Sequence, residues 1–482
     1  MTLMLVSVAL CFYVAAVAVI STQKMRAFYT FLPIVIACAV FPRQVWSGGE
    51  TSNPLPDIAP GNLQITTYVL AVATAAVIVP LQRTRLRIAF PHAVFFVALV
   101  ILTITLWGNR PHHWSGVLVV AAGLGAWAVG RSHVLSVDSR SGSAHLILVT
   151  TAVILTMQML LTIAQIAGVD QPTWLTGINE RTRSIEESGR GVGTLGHPAN
   201  LSKLSVLFTF ISLPFMVSPA ARMRRLALTN VALAFAVAGL TVSRANIFAV
   251  VVLVGLWVLL APRMLRLRTR FFILTAGVLA ALSFYEDIVR RFLEDPEGGE
   301  RQNLERAVWE QFALTPFTGT GVNSYIAVVG QWDPWTATGY PVHNTFLLAA
   351  AEFGIPAAIL LFTPLALLWL RAILNILVSR RLPWSLSTVF SIPATLAVTL
   401  TGWGMLSGGY LTLWMLVCGI QAAGVSAEYR SLWATRRRLS APQLPTALHA
   451  LQARSPSQVV PPPAHRTTFP LPTSDPGTAN HG

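Results

Sequence analysis

The stretch RLALTNVALAFAVAGLTVSRANIFAVVVLVGLWVLLAP, residues 225–262, decides the fold class. It holds two apolar runs, each near the ~20 residues that cross a bilayer. Between them lies a tight polar turn, TVSRAN (241–246), with one cation and no acid. In hydrocarbon a backbone must satisfy its own hydrogen bonds, and a helix does so within one segment. The stretch therefore reads as two spanning helices joined at a membrane face.

The pattern recurs from end to end. Spans are expected at about 3–20, 27–45, 63–82, 88–107, 114–130, 144–167, 199–217, 225–242, 245–262, 271–285, 344–370, 384–402 and 408–425. The expected class is an all-α polytopic membrane protein of about 13 helices. Apolar residues make up 54% of the 482 and charged residues 11%, roughly half the ~25% of soluble proteins. The first segment lacks a basic leader and a small-residue cleavage site, and reads as a retained span.

Charge distribution sets the expected orientation. Alternate loops and the tail hold 23 cations against three acids, Asp138, Glu428 and Asp475. The other loops hold ten cations and nearly all the acids. By the positive-inside rule the first set is cytoplasmic, so the N-terminus is outside, the C-terminus is inside, and the protein spans the inner membrane. A net charge of +15 is thereby explained without nucleic acid, since the arginines lie in short clusters between apolar segments. Cys11, Cys38 and Cys418 are too scattered for a disulfide framework or a metal site, and no other cluster has metal-ligand spacing. Without a Walker motif or nucleotide-binding glycine loop, the chain shows no means of using ATP.

Two external loops are long, 168–198 and 286–343. In the second, Leu304, Val308 and Phe312 repeat at i, i+4 and i+8, flanked by Arg301, Glu305, Arg306 and Glu310. That spacing predicts an amphipathic helix on the outer membrane surface or packed against the spans. The domain reading is a transmembrane body, 1–426, followed by a Pro-rich cytoplasmic tail, 427–482, with too little to bury to fold.

Three motifs at the external edges carry the chemistry: GRGVGTLGHPAN (189–200), TVSRAN (241–246) and PVHNTF (341–346). Arg244 is either an interfacial anchor or a site cation. Arg190 lies among glycines that let a backbone approach a ligand as phosphate-binding loops do, or it belongs to a solvated loop. Arg183 has acids beside it and is the weaker competitor. Lys203, one turn inside its span, either snorkels outward or adds a second charge to the same place. His343 opens a span, where a neutral imidazole can take a proton from a hydroxyl. Glu352, two and a half turns on, is able to orient His343, bind Arg244 or join two helices. His113 and His197 read as structural. Arginine forks match diphosphate oxygens, and without an aspartate-rich metal motif the leaving group falls to arginine. The pattern points to an anionic, lipid-linked substrate.

In order, R-G-x-G-T-x-x-H-P-x-N (190–200), T-x-S-R (241–244), R-x-x-W (306–309) with P-x-x-G-x-G-x-N-S-Y (316–325), and H-N-x-F-L-x-x-x-x-E-x-G (343–354) resemble the bacterial O-antigen ligase/O-antigen polymerase family. The resemblance covers about 190–360. GHPAN departs from it, since many relatives carry Pro directly before Asn. It implies a GT-C-like membrane glycosyltransferase, free of metal and other cofactors, that works on the outer face. The donor is a glycan on a polyprenyl diphosphate, passed with inversion to an acceptor hydroxyl on a saccharide or lipid-glycan. Family roles fall on Arg190 and Arg244 as diphosphate binders and on His343 as base. Lys203 and Arg306 are further expected diphosphate contacts; Asn200, Asn344 and Glu352 are supporting residues. A polymerase of lipid-linked repeats is the alternative within the family. A lipid-linked oligosaccharide flippase would place polar groups at midplane and show repeat symmetry, and a scaffold would depend on its tail.

Overall fold

The computed structural model describes residues 26–48, 63–81, 86–132, 142–169, 191–260 and 301–440, with isolated positions between them. The helices are numbered here in chain order: α1 Arg26–Val40, α2 Thr67–Leu81, α3 Phe90–Thr105, α4 Pro111–Arg131, α5 Gly142–Ile166, α6 Pro198–Ser212, α7 Ala221–Leu240, α8 Arg244–Leu260, α9 Arg301–Leu314, α10 Tyr325–Val329, α11 Pro334–Ala337, α12 Thr345–Phe353, α13 Ile355–Val378, α14 Pro383–Leu400 and α15 Gly408–Ser440. Proline stands in the first turn of α3, α4, α6, α13 and α14. Its missing N–H is no loss there, and its fixed φ suits a helix start.

Seven helices among the described residues are long and apolar enough to cross a membrane, and four shorter apolar ones accompany them. The protein is a mostly helical, multi-pass membrane protein. The expected spans 3–20 and 271–285 lie essentially outside the described residues. A stretch of α6 with the 3-10 turn after it, and most of α15, are 89% buried, whereas α5 and α13 are 39% buried. The first pair forms the centre of the bundle and the second its apolar periphery. Side-chain amides tie the centre together. Asn230 Nδ2 donates to the Leu148 carbonyl at 3.1 Å, and Gln421 Nε2 to the Phe210 carbonyl at 3.0 Å. Interhelical bonds of this kind contribute about 0.6 kcal/mol each on average in membranes.

Three expectations need correction. The chain is not purely α: Gln44–Gly48 (β1) pairs antiparallel with Leu63–Thr66 (β2), so the spans expected at 27–45 and 63–82 give up one end each to a two-stranded ribbon. The single span expected at 344–370 is two helices. Gly354 has φ +81° and passes so close to the Phe317 carbonyl that a Cβ would collide with it; only glycine fits, and the helix breaks there. The tail does not begin at 427, since α15 continues to Ser440 through a run of good helix formers. Residues 441–482 lie outside the described residues.

By internal contacts the chain forms one unit of residues 1–431 and a small one, 432–482, whose described part is the last turns of α15. Within the first unit, α9–α12 have their own apolar core of Ala307, Val308, Tyr325, Ile326, Val329, Val342, Leu348 and Ala351, apart from the core of the bundle. Helix α9 buries Leu304, Ala307, Val308 and Gln311. The predicted amphipathic helix is therefore present, packed on α12.

Candidate functional site at the start of α6 and α12

Helix α6 begins where His197 Nδ1 accepts the Ala199 N–H at 3.2 Å, so His197 is a cap. The glycine turn before it is held from α5. Gln165 Oε1 accepts the N–H groups of Val192 and Gly193 at 3.1 and 2.8 Å, and its amide donates to the Gly193 carbonyl at 2.8 Å. Gln158 takes the Thr194 N–H at 3.0 Å and donates to the Thr194 hydroxyl at 2.6 Å. The N–H groups of 192–194, within the glycine-rich turn, are thus engaged by glutamines. The sequence signal was two Gln seven residues apart in an apolar run, which places both on one helix face. Arg183 and Arg190 lie outside the described residues.

One turn into α6, Lys203 is only 4% exposed. Its ammonium donates to Asn200 Oδ1 at a long 3.4 Å, leaving donors to spare. A Cβ on Gly404, in the turn between α14 and α15, would collide with both Lys203 Nζ and Asn200 Oδ1. Glycine there is what gives the lysine room. A small cavity of about 10 Å³ lies beside Lys203, between Phe210, Leu253, Thr395, Met405 and Trp414. That is space for about one water.

The same turn fixes α12, because the Thr345 hydroxyl donates to the Gly402 carbonyl at 2.5 Å. Asn344 caps α12, its Oδ1 accepting from Phe346 and Leu347 at 3.0 and 3.2 Å. His343, the residue before, is half-buried, and its Nδ1 is buried without a hydrogen bond. Desolvation pushes its pKa down to about 4; the positive charges of Arg301 and Lys203 add to this, and the Pro341 carbonyl opposes it. His343 is therefore a neutral imidazole at neutral pH.

Arg244 opens α8, half-buried, two residues after Val242, which is in a left-handed conformation (φ +48°). Two residues on, Asn246 Nδ2 donates to the Ala199 carbonyl at 3.2 Å and to Ser243 Oγ at 2.8 Å. These bonds tie the Arg244 turn to the start of α6.

The remaining expected residues separate from this group. Glu352 sits at the far end of α12, where its carboxyl accepts the N–H groups of Asn323 and Tyr325. Its carbonyl takes the Gly321 N–H at 3.0 Å, and the Ala351 carbonyl takes the Thr320 N–H at 2.8 Å. Glu352 is thus engaged by the 316–325 loop, which in turn reaches α4 through Asn323 Nδ2 to the His112 carbonyl at 3.3 Å. His113 stacks on Trp107. Arg306 faces solvent, 3.8 Å from Glu310 and 68% exposed. Arg301, which the sequence reading left as a flank of the amphipathic helix, is the cation of α9 nearest in electrostatic effect to His343. Among the described residues no three His, Cys, Asp or Glu side chains converge as a metal-binding group.

Comparison with known families matches residues 229–362 to the family described as O-antigen ligase. The matched stretch contains Arg244, Arg301, Arg306, His343, Asn344 and Glu352, and leaves Asn200 and Lys203 outside it. No curated protein matches the chain.

Proposed function

We propose that the protein is a lipid-linked glycan transferase of envelope polysaccharide synthesis, a reading supported by the match of residues 229–362 to the O-antigen ligase family. The protein moves a glycan from a polyprenyl diphosphate to an acceptor hydroxyl on a saccharide or lipid-glycan. It does so on the outer face of the cytoplasmic membrane, with inversion, without a metal, on a GT-C-like helical scaffold. The observation that carries this reading is the convergence of a desolvated, neutral His343 with the buried Lys203 and with Arg301.

His343 takes the acceptor hydroxyl proton as the oxygen attacks the anomeric carbon. The bond from that carbon to the phosphate oxygen breaks on the opposite face, and its electron pair leaves with the polyprenyl diphosphate. The growing negative charge falls to Arg244, Arg190 and Lys203, with Arg301 replacing Arg306 as the contribution of α9. Fixed cations in a dry site need no reorganisation as that charge develops. Asn344 and Glu352 hold α12, and Asn200 holds Lys203.

Deletion of the gene in its host tests the reading and separates its two forms. A full-length lipid-linked chain accumulates if the protein is a ligase, and a short lipid-linked repeat accumulates if it is a polymerase. Accumulation of neither overturns the assignment. Orientation is tested separately: a cysteine placed in 168–198 reacts with an impermeant thiol reagent in intact cells, and one in 263–270 does not. The opposite labelling would put the site on the wrong side of the membrane.

A further inference from the structure

Helix α4 runs the depth of the bundle. Its Pro111 end meets the 316–325 loop, and Arg131 closes its other end. At that other end three arginines from separate parts of the chain gather. Arg87, just ahead of α3, donates its backbone N–H to the hydroxyl of Ser132, the residue after Arg131, at 3.1 Å. Arg131 is half-buried and within electrostatic reach of both Arg87 and Arg371. The Arg371 guanidinium lies over the Tyr429 ring, 4.7 Å from its centroid, with Ser426 Oγ at 3.5 Å.

No described carboxylate is free to answer them. The described acids are Glu305, Glu310, Asp333, Glu352 and Glu428, and the first four belong to residues 301–353. Glu428 is the one at this end. Its carboxyl already accepts the Trp384 N–H at 2.8 Å, and the Ser385 N–H and hydroxyl at 2.9 and 2.6 Å. Asp138 lies outside the described residues. The C-terminal dipole of α4 favours Arg131 but carries only about half a charge.

We propose that Arg87, Arg131 and Arg371 form a binding site for the phosphodiester headgroup of an anionic phospholipid, in the leaflet opposite His343. The several acceptor oxygens of one phosphate can take more than one guanidinium fork. Phe90 and Ile88, 80% and 58% exposed beside Arg87, offer an apolar wall for an acyl chain. That wall favours a lipid over free phosphate. The positive-inside rule accounts for arginine on one side of a membrane, but not for three brought together with one stacked on a tyrosine.

The full chain in detergent, given equimolar phosphatidylglycerol and phosphatidylcholine, tests this by native mass spectrometry. Phosphatidylglycerol should be retained in preference. The double variant Arg131→Gln/Arg371→Gln should weaken that retention about tenfold or more. The double variant Arg380→Gln/Arg381→Gln removes the same charge from an exposed loop nearby and should leave retention unchanged. Equal retention of the two lipids, or equal loss in the two double variants, overturns the site and leaves diffuse charge. Displacement by millimolar inorganic phosphate overturns the lipid in favour of a soluble anion. If Arg131→Gln/Arg371→Gln does not fold, Arg371→Gln alone and the lipid preference of the unaltered chain decide the matter.

Discussion

The two ends of α12, nine residues apart, are built on opposite principles. At its C-terminal end four groups are engaged: the Ala351 and Glu352 carbonyls, the Glu352 carboxyl, and the Ile355 N–H on the Pro316 carbonyl. At its N-terminal end the caps are complete, yet His343 Nδ1 is left buried without a partner. Lys203, whose charge reaches His343, has one long hydrogen bond. A buried polar group without a partner costs about 1–3 kcal/mol. Several described side chains carry such an atom; His343 Nδ1 is the one at the start of α12, and the saturated end holds it in place.

If the two ends differ in this way, substitutions at each should differ in kind. The largest expected effect is His343→Ala, which removes the base. The single-turnover rate should fall ~10²–10⁴-fold, with donor affinity and folding close to the parent. Transfer at the parent rate would return His343 to a structural role. Next comes Arg244→Lys, which keeps the charge and loses the planar fork. Donor affinity should fall about tenfold if the diphosphate contact is bidentate. No change in affinity or rate would make Arg244 an interfacial anchor.

At the saturated end, Glu352→Ala leaves the Asn323 and Tyr325 N–H groups without their acceptor. It should lower stability by about 1–3 kcal/mol, read as an earlier melt in detergent. Glu352→Gln retains an acceptor oxygen and should recover most of the loss. A catalytic carboxylate would instead lose activity with Gln at unchanged melting temperature. The smallest effect is expected from pH. With the His343 pKa near 4, kcat/KM should be flat from pH 8 to below 6 and fall only as pH approaches 4. An ordinary histidine would halve the rate near pH ~6.5. The sign for stability follows from the same shift. The unfolded chain takes up a proton near ~6.5 and the folded one near 4, so the contribution of His343 is whole above ~6.5 and is lost as pH falls toward 4. A midpoint for kcat/KM at 6.5 would show that the imidazole is solvated in the working protein.

The apolar runs were legible residue by residue. The expected spans 114–130, 225–242, 245–262 and 384–402 correspond to α4, α7, α8 and α14 within a few residues. Hydropathy is a local property, and a backbone leaving water has only the helix to adopt within one segment. The reactive candidates were also legible as types, since His343, Arg244 and Lys203 stand where an apolar run meets a polar turn. Partnership was not legible. The glycines before α6 looked suited to phosphate, but whether their N–H groups are free depends on Gln158 and Gln165, more than twenty-five residues earlier.

Sequence by itself determined the class of the protein, the positions of most of its helices, and a motif set that resembles one family. Tertiary structure alone decided which cations stand beside the histidine. Arg301 and Arg306 are five residues apart on α9, and their chemistry is the same. Their separation is about 500° of helical rotation, which places one by His343 and the other toward solvent beside Glu310. Likewise Gly354 closes a sequence motif, but the need for glycine there follows from the Phe317 carbonyl, which occupies the space of its missing side chain. Composition and periodicity record what each residue prefers; which groups meet is set by long-range packing, and a site is made of such meetings.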